Sequence, residues 1–267
     1  IMTKNKFLTI ALFISLISAC HKNAVTGKRS LSLVPESELM TMSFTQYDQF
    51  LKEHPPLPDN DERVVMVRRI GVRIQKSVEE YYKQKNASKD LNGFAWQFNV
   101  VDDNTVNAWC MPGGKVVVYT GILPVTQDEN SLAVVMGHEI AHAVARHGNQ
   151  RMSQGLLINF GGQALSIALS QKPAFTQQLF AQAYGVSTGL GALKYSRSHE
   201  TEADKMGLIF AAMGGYDPEA AIKFWERMSQ SGGQKPPELL STHPSDETRI
   251  KDLKAFMPEA KKYYKPQ

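Results

Sequence analysis

Two histidines spaced four residues apart carry the clearest chemical signal of this chain. His138 and His142 flank Glu139-Ile140-Ala141 in a run that suits an α-helix. Side chains four apart lie one turn apart on the same helix face, so both imidazoles can reach one metal ion. Glu139 projects about 100° further round, where it can touch water beside that ion without being a ligand. Two nitrogen ligands, a base and free coordination positions are what a hydrolytic zinc site requires. The alternative is two ordinary, partly buried histidines.

The helix that carries this motif has predicted ends. Thr126 is a suitable N-cap, and Glu129 completes a capping box with it. Apolar residues then recur at helical spacing, and we expect the helix to run on to Gly148. His147 lies about 140° round the helix from His142. We interpret it as a helix-end or packing histidine rather than a ligand.

A downstream segment can supply the third protein ligand. We expect a helix from an N-cap at Ser198 to about Met213, on which Glu200 and Asp204 share one face. A carboxylate from Glu200 packed against the two histidines would complete a His₂Glu site. Asp204 would then orient a ligating imidazole or help to shuttle protons. The alternative for Glu200 is a solvated charge on a helix surface.

Four short segments form a set. They are His138-Glu139-x-x-His142; Ser196-Arg197-Ser198-His199-Glu200 with Asp204; Asn107-Ala108-Trp109-Cys110-Met111-Pro112-Gly113-Gly114-Lys115; and Ser241-Thr242-His243-Pro244. This set, spread over residues 104–250, closely resembles the gluzincin metallopeptidases of the HtpX, BepA and CAAX prenyl endopeptidase family, in its bacterial periplasmic lipoprotein branch. The combination is far more specific than the zinc motif alone.

The resemblance implies a fold and a set of roles. The fold would be α+β and mostly helical, a gluzincin-like metalloprotease domain with a small β-sheet beside the zinc-binding helix. One Zn²⁺ per chain would be bound by His138, His142 and Glu200. Glu139 would be the catalytic base, and Asp204 the assisting acidic residue.

His243 has two interpretations. In the periplasmic members of the family, the corresponding histidine approaches the metal and holds the enzyme latent. A fourth protein ligand would displace the attacking water and close the site. The alternative is a surface His-Pro turn in a proline-rich loop. Arg249, one turn into the following helix, is predicted to bind a substrate carbonyl or Asp246.

A small sheet is predicted upstream of the zinc helix. Apolar residues alternate from Phe94 to Val100, and a second strand follows at 116–119. A sheet edge can hold an extended peptide by main-chain pairing, and we place that edge near Asn107 and Ala108 as a substrate-binding element. The alternative is a covered, structural hairpin.

The first residues predict export and a lipid anchor. Lys4 and Lys6 precede an apolar run over 7–18, too short to span a bilayer and typical of a signal peptide. Cys20 after Ile-Ser-Ala resembles a bacterial lipobox, which implies cleavage before Cys20 and its lipidation; the alternative is a secretory peptide with an incidental cysteine. We expect a lipoprotein signal peptide at 1–19, a lipidated tether at 20–34 and a zinc metallopeptidase domain at 35–267.

Composition restricts the partners. The 267 residues are 42% hydrophobic, which is enough for one substantial core. The formal charge of +4 includes Lys4 and Lys6 and is no footprint for nucleic acid. With Cys20 acylated, Cys110 has no partner for an internal disulfide.

Residues 152–193 carry a single charge, Lys172. We expect a mobile helical hairpin over the active-site cleft. Transmembrane insertion is disfavoured because the segment holds several glutamines, and lone polar side chains are costly in hydrocarbon.

These patterns together predict a zinc-dependent endopeptidase that is lipid-anchored in the bacterial cell envelope and faces the periplasm. The residue after the cysteine is His21 rather than aspartate, and in this the sequence is similar to lipoproteins that Gram-negative bacteria sort to the outer membrane. The inference assumes a Gram-negative source. The resemblance suggests unfolded or misassembled envelope proteins as substrates and outer-membrane assembly proteins as partners. An assembly chaperone or scaffold with latent proteolysis is the competing class. A prenyl-protein endopeptidase is disfavoured because no multi-span membrane chamber is apparent.

Overall fold

The computed structural model describes residues 20–163, 177–180, 184, 195–230, 239–240, 243 and 247–266. The expected mixture of many helices with a small sheet is confirmed. The strands are β1 (Cys20–Lys22), β2 (Arg29–Leu31), β3 (Gln97–Val101), β4 (Ala108–Met111) and β5 (Lys115–Tyr119). The helices are α1 (Glu36–Glu53), α2 (Glu62–Gln84), α3 (Leu123–Thr126), α4 (Glu129–Val144), α5 (His147–Phe160), α6 (Arg197–Met213), α7 (Ala220–Gln230) and α8 (Glu247–Lys261).

Two predictions for the middle of the chain have different outcomes. Among the described residues, no helix combines the length and the apolar character that crossing a bilayer demands. The hairpin expected over 152–193 falls largely outside the described residues, although α5 covers its first part.

The sheet that lies beside the motif helix has the strand order β3-β5-β4. β3 runs parallel to β5, whereas β4 is antiparallel to it and forms an edge, as expected near Ala108. The strand predicted from Phe94 begins later, at Gln97. The central strand β5 is buried from Lys115 to Val118 because helices and strands cover it.

Helix α2 packs against β3, α4 and α6 and forms part of the core. Its apolar stripe is buried at Val64, Val67, Ile70, Ile74 and Val78. Asp61 caps it by accepting a hydrogen bond from the Arg63 N–H.

Helix α4 differs from the prediction at both ends. Its N-cap is Asp128, whose carboxylate accepts a hydrogen bond of 2.7 Å from the Ser131 N–H. Thr126 instead ends the short helix α3. The helix ends at Val144 rather than Gly148, because Arg146 adopts a left-handed conformation with φ 59°. A new helix, α5, begins at His147.

Helices α4 and α6 cross with their backbones in contact. A Cβ atom at Gly137 would lie 2.8 Å from the Gly207 carbonyl oxygen, and one at Gly207 would lie 2.7 Å from the His138 nitrogen. Helix α6 is capped by Ser196, whose Oγ accepts from the His199 N–H at 3.2 Å, and not by Ser198 as predicted. Ser198 lies within the first turn, where its hydroxyl accepts from Lys28.

The segment predicted as a tether is part of the folded unit. β1 and β2 pair in antiparallel register, with Cys20 opposite Leu31, and form what we call the N-terminal hairpin (residues 20–31). Leu33 and Val34 are then buried in a core cluster with residues of α1 and α5. Residues on both sides of the predicted boundary at residue 35 therefore pack together, and the boundary itself stays a prediction. Lipidation of Cys20 stays a prediction.

Candidate metal centre

Four side chains from three separate parts of the chain converge on one point. His138 and His142 on α4 bring their Nε2 atoms within 3.0 Å of each other. His243 Nδ1 lies 3.2 Å from His138 Nε2 and 3.0 Å from Glu200 Oε1. All four residues are buried, and one ligand atom from each lies within 4.8 Å of all the others.

The spacing of these atoms suits a tetrahedral zinc ion. Nitrogen and oxygen ligands at about 2.0–2.2 Å from a tetrahedral ion are about 3.3–3.6 Å apart. Glu200 oxygens lie 3.4 Å from His138 Nε2 and 3.5 Å from His142 Nε2. Lone pairs of two imidazoles and a carboxylate directed at one buried point repel one another unless a cation or protons lie between them. The residues therefore fit the zinc ion that the sequence predicts.

Glu139 lies beside this cluster without joining it. Its Oε1 atom is 3.6 Å from His243 Nε2 and makes no hydrogen bond with any residue that the structure describes. Burial raises the pKa of this carboxyl group. A buried carboxylate oxygen with a free lone pair and a raised pKa is suited to accept a proton.

Asp204 orients the first histidine of the motif. His138 Nδ1 lies 2.9 Å from Asp204 Oδ1 and donates to it, which leaves Nε2 free to face the cluster. Burial by itself raises the pKa of the Asp204 carboxyl. The charge of Arg249 and the hydrogen bond from His138 outweigh burial, so the pKa is lowered and the group stays ionised.

Arg249 contacts two of the acidic residues of α6, Asp204 and Glu200, and holds them in place. Its Nε and Nη2 donate to the two oxygens of Asp204 at 2.9 and 2.7 Å, and Nη1 lies 3.1 Å from Glu200 Oε2. The guanidinium stacks on the ring of Trp225 at 3.5 Å. The prediction gave Arg249 a substrate carbonyl or Asp246 as its partner. The structure gives it Asp204 and Glu200, and Asp246 is outside the described residues.

Two further residues reach the centre although their spacing gave no sign of it. His147 Nδ1 lies 2.9 Å from His142 Nδ1, and His147 Nε2 lies 3.3 Å from Glu202 Oε2. Helix α4 ends before Arg146, and a new helix begins at His147. His147 and His142 are therefore not on one continuous helix, where they would be about 140° apart, and the His147 ring is turned towards His142. Helical periodicity places Glu202 about 200° from Glu200, and thus away from the metal ligands.

An aromatic side chain covers the second histidine. The Tyr195 ring stacks on the His142 ring with centroids 3.9 Å apart, and Arg151 lies 4.3 Å from the Tyr195 ring centroid. Neither contact follows from the sequence pattern. Such stacking restricts rotation of the His142 ring.

Two of the residues predicted to bind substrate lie at the edge of the sheet, Ala108 in β4 and Asn107 just before it. Ala108 pairs with Val118, and the Asn107 side chain accepts a hydrogen bond from the Ala108 N–H. The same edge is partly paired just before it, because the Leu239 N–H donates to the Val106 carbonyl at 3.3 Å. β4 packs against α4, so the edge belongs to the layer that carries the metal ligands.

A groove of about 220 Å³ opens beside Glu200, between α6 and α8. Its apolar wall is Leu208, Leu253 and Phe256, and Lys205 and Asp252 also line it. The groove reaches Asp204 and Arg249, so it is continuous with the candidate metal centre.

Comparison with known proteins gives a consistent result. The profile of peptidase family M48 matches residues 72–257. The mitochondrial metalloendopeptidase OMA1 of Arabidopsis thaliana is 37% identical over 182 residues, which cover 67% of this chain and 35% of that protein. Human mitochondrial metalloendopeptidase OMA1 is 31% identical over 250 residues, or 89% of this chain and 46% of that protein. The beta-barrel assembly-enhancing protease of Yersinia pestis is 30% identical over 166 residues, which cover 60% of this chain and 34% of that protein. The chain thus spans about a third to a half of the length of these relatives.

Proposed function

The chain belongs to peptidase family M48, and from this premise we propose that it is a zinc-dependent endopeptidase of the bacterial cell envelope. The observation that carries the proposal is the convergence of His138, His142 and Glu200, with Glu139 beside them and its Oε1 atom without a hydrogen bond within the described part of the chain. These residues would supply the ligands and the base that hydrolysis of a peptide requires.

The protein residues divide the chemistry among themselves. His138, His142 and Glu200 would hold Zn²⁺, which supplies a Lewis acid for the scissile carbonyl and lowers the pKa of the attacking water. Glu139 takes a proton from that water at Oε1 and returns it to the leaving amine. Asp204 keeps the Nδ1 proton on His138, and Arg249 keeps Asp204 in place. The edge of β4 aligns an extended peptide by main-chain pairing.

His243 is the element that we propose to hold the enzyme latent. Its Nδ1 lies among the candidate ligand atoms, so it would be a fourth protein donor, and four protein donors would leave a tetrahedral ion no position for water. Cleavage then requires His243 to move away. The same observation favours a second candidate function, an assembly chaperone or scaffold in which proteolysis is latent.

The groove between α6 and α8 is the best candidate for a substrate side-chain pocket. It adjoins Glu200, and its apolar wall matches a large apolar side chain next to the scissile bond.

The location and natural substrates are inferred from other features. The lipobox-like Ile-Ser-Ala-Cys20 supports a lipid anchor facing the periplasm, and His21 supports the outer membrane. Relatives named beta-barrel assembly-enhancing proteases support a role in the quality control of envelope proteins, with outer-membrane assembly proteins as partners. The mitochondrial relatives support the peptidase class but lie outside any bacterial envelope, so the envelope assignment rests on the first residues and on the relatives named beta-barrel assembly-enhancing proteases.

The test pairs metal analysis with proteolysis. Zinc content and degradation of labelled casein are measured for the full chain and for Glu139→Gln, which keeps the shape of the side chain and removes the base. We expect one zinc per chain in both proteins and casein cleavage by the unmodified chain alone. Equal cleavage by both proteins would reject the enzymatic assignment of Glu139. If the unmodified chain binds zinc but does not cleave casein, and the His243→Ala variant does not cleave it either, the scaffold function would be favoured.

A further inference from the structure

The far side of the second motif histidine is the start of a series of polar contacts. His142 Nε2 faces the other ligand atoms, and its Nδ1 lies 2.9 Å from His147 Nδ1. His147 Nε2 continues to Glu202 Oε2 at 3.3 Å. His147 is fully buried and Glu202 is 5% exposed, so these contacts are shielded from bulk water.

The series ends on the N-terminal hairpin. Glu202 Oε1 accepts hydrogen bonds from Asn23 Nδ2 at 2.8 Å and from Thr26 Oγ1 at 2.5 Å. Lys28 Nζ lies 3.0 Å from Glu202 Oε2. A buried carboxylate is costly unless donors surround it, and three of the donors around this one belong to residues 23–28.

The hydrogen atoms in this series have one consistent arrangement. A histidine that ligates through Nε2 carries its proton on Nδ1, so His142 donates and His147 Nδ1 must accept. The His147 proton is then on Nε2 and is donated to the Glu202 carboxylate. The tautomer of His142 therefore fixes the tautomer of His147, and Glu202 accepts the remaining His147 proton.

We propose that the N-terminal hairpin is a positioning element of the metal centre, acting on His142 through Glu202 and His147. The hairpin residues hold Glu202 ionised and in place, Glu202 orients the His147 ring, and His147 holds His142 with Nε2 towards the ion. The inference rests on the proposed function for the identity of the ion. It adds that the segment next to the predicted lipid anchor is required for full metal affinity.

A matched pair of variants separates positioning from general packing. Thr26 is exposed, so Thr26→Val removes the hydroxyl at nearly constant shape, whereas Thr26→Ser keeps it. Glu202→Gln and His147→Ala interrupt the series nearer to the metal. Arg29→Gln is the charge control, because Arg29 is an exposed neighbour of Lys28 in the same hairpin.

The measurements are made on the full chain. Zinc affinity is obtained by competition with a chromophoric chelator. The visible spectrum of the Co²⁺-substituted protein reports the ligand geometry, and the melting temperature of the metal-free protein reports the fold. Loss of such outer partners typically weakens metal binding by about 10–100-fold.

We expect Glu202→Gln and His147→Ala to weaken zinc binding by about 10–100-fold and to alter the Co²⁺ spectrum. Thr26→Val should give a smaller loss in the same direction, whereas Thr26→Ser and Arg29→Gln should match the unmodified chain. The inference is overturned if Glu202→Gln and Thr26→Val bind zinc as the unmodified chain does, or if Thr26→Val and Thr26→Ser lose affinity equally. Should the unmodified chain bind no zinc, the proposed function fails as well, so the two failures are distinguishable.

Discussion

Gly137 and Gly207 meet backbone to backbone where the motif helix α4 crosses α6. This contact sets the distance between the helix that carries His138 and His142 and the helix that carries Glu200. A Cβ atom on Gly207 would lie 2.9 Å from the His138 Cα and closer still to its nitrogen. Such a clash involves backbone atoms, which cannot rotate away as a side chain can.

Gly207→Ala should therefore separate the helices and impair the metal centre. We expect a loss of about 1–3 kcal/mol in the free energy of unfolding, which is the usual cost of overpacking, together with weaker zinc binding. Urea unfolding and a zinc titration measure the two effects. Gly155→Ala is the control, because its new methyl group would meet the flexible tip of Leu179. Equal behaviour of the two variants would show that the α4–α6 contact does not set the site.

Arg249→Met should destabilise the fold through the charges that it leaves behind. Asp204 and Glu200 are both buried against this guanidinium, and removing one partner of a buried pair costs about 3–5 kcal/mol. Urea unfolding in the presence of a chelator measures the metal-free protein. Adding Asp204→Asn to Arg249→Met removes one orphaned charge and should recover part of the stability. A double variant that is no more stable than Arg249→Met would contradict this account.

His243→Ala should raise proteolysis if latency holds. If His243 closes the site in about nine of ten molecules, its removal raises casein turnover about tenfold at unchanged zinc content. His54→Ala on the exposed end of α1 is the matched control. An unchanged or lower rate in His243→Ala would reject the latency role.

Phe256→Ala should alter substrate choice rather than the chemical step. It removes part of the apolar wall of the α6–α8 groove, and lost apolar contacts in a pocket are worth about 10–200-fold in discrimination. A peptide series that varies the residues flanking the scissile bond measures kcat/KM. We expect a selective loss for large apolar side chains. A uniform loss for every peptide would place the groove outside the substrate path.

Cys110 should be unreactive in the folded protein. Burial raises the pKa of this thiol well above its ordinary value, so the reactive thiolate is scarce at pH 8. Because the folded pKa is the higher one, folding is favoured at pH values below the ordinary thiol pKa. This contribution is lost as pH rises towards the raised pKa. In a Cys20→Ser background, a disulfide reagent should modify Cys110 only after denaturant is added. Rapid labelling of the native protein at pH 8 would contradict the buried position.

Local periodicity decided much of what the sequence predicted correctly. The four-residue spacing of His138 and His142 determines their shared helix face before any tertiary contact exists. The same reasoning predicted a strand from the alternation between Phe94 and Val100, where β3 is found from Gln97. Together with the motif set it identified the peptidase family, which the profile match confirms. Helix ends were less predictable, since neighbouring polar residues such as Ser196 and Ser198 compete for the same cap.

Tertiary structure alone decided the surroundings of the metal centre. Arg249 reaches Asp204 across 45 residues of sequence, and Asn23 reaches Glu202 across 179. Helical or strand period cannot encode such partners, because they depend on how whole elements pack. The left-handed Arg146 is a further case: one backbone conformation ends α4 and turns His147 towards His142. The sequence by itself determined which groups can bind metal; packing decided which groups hold them there.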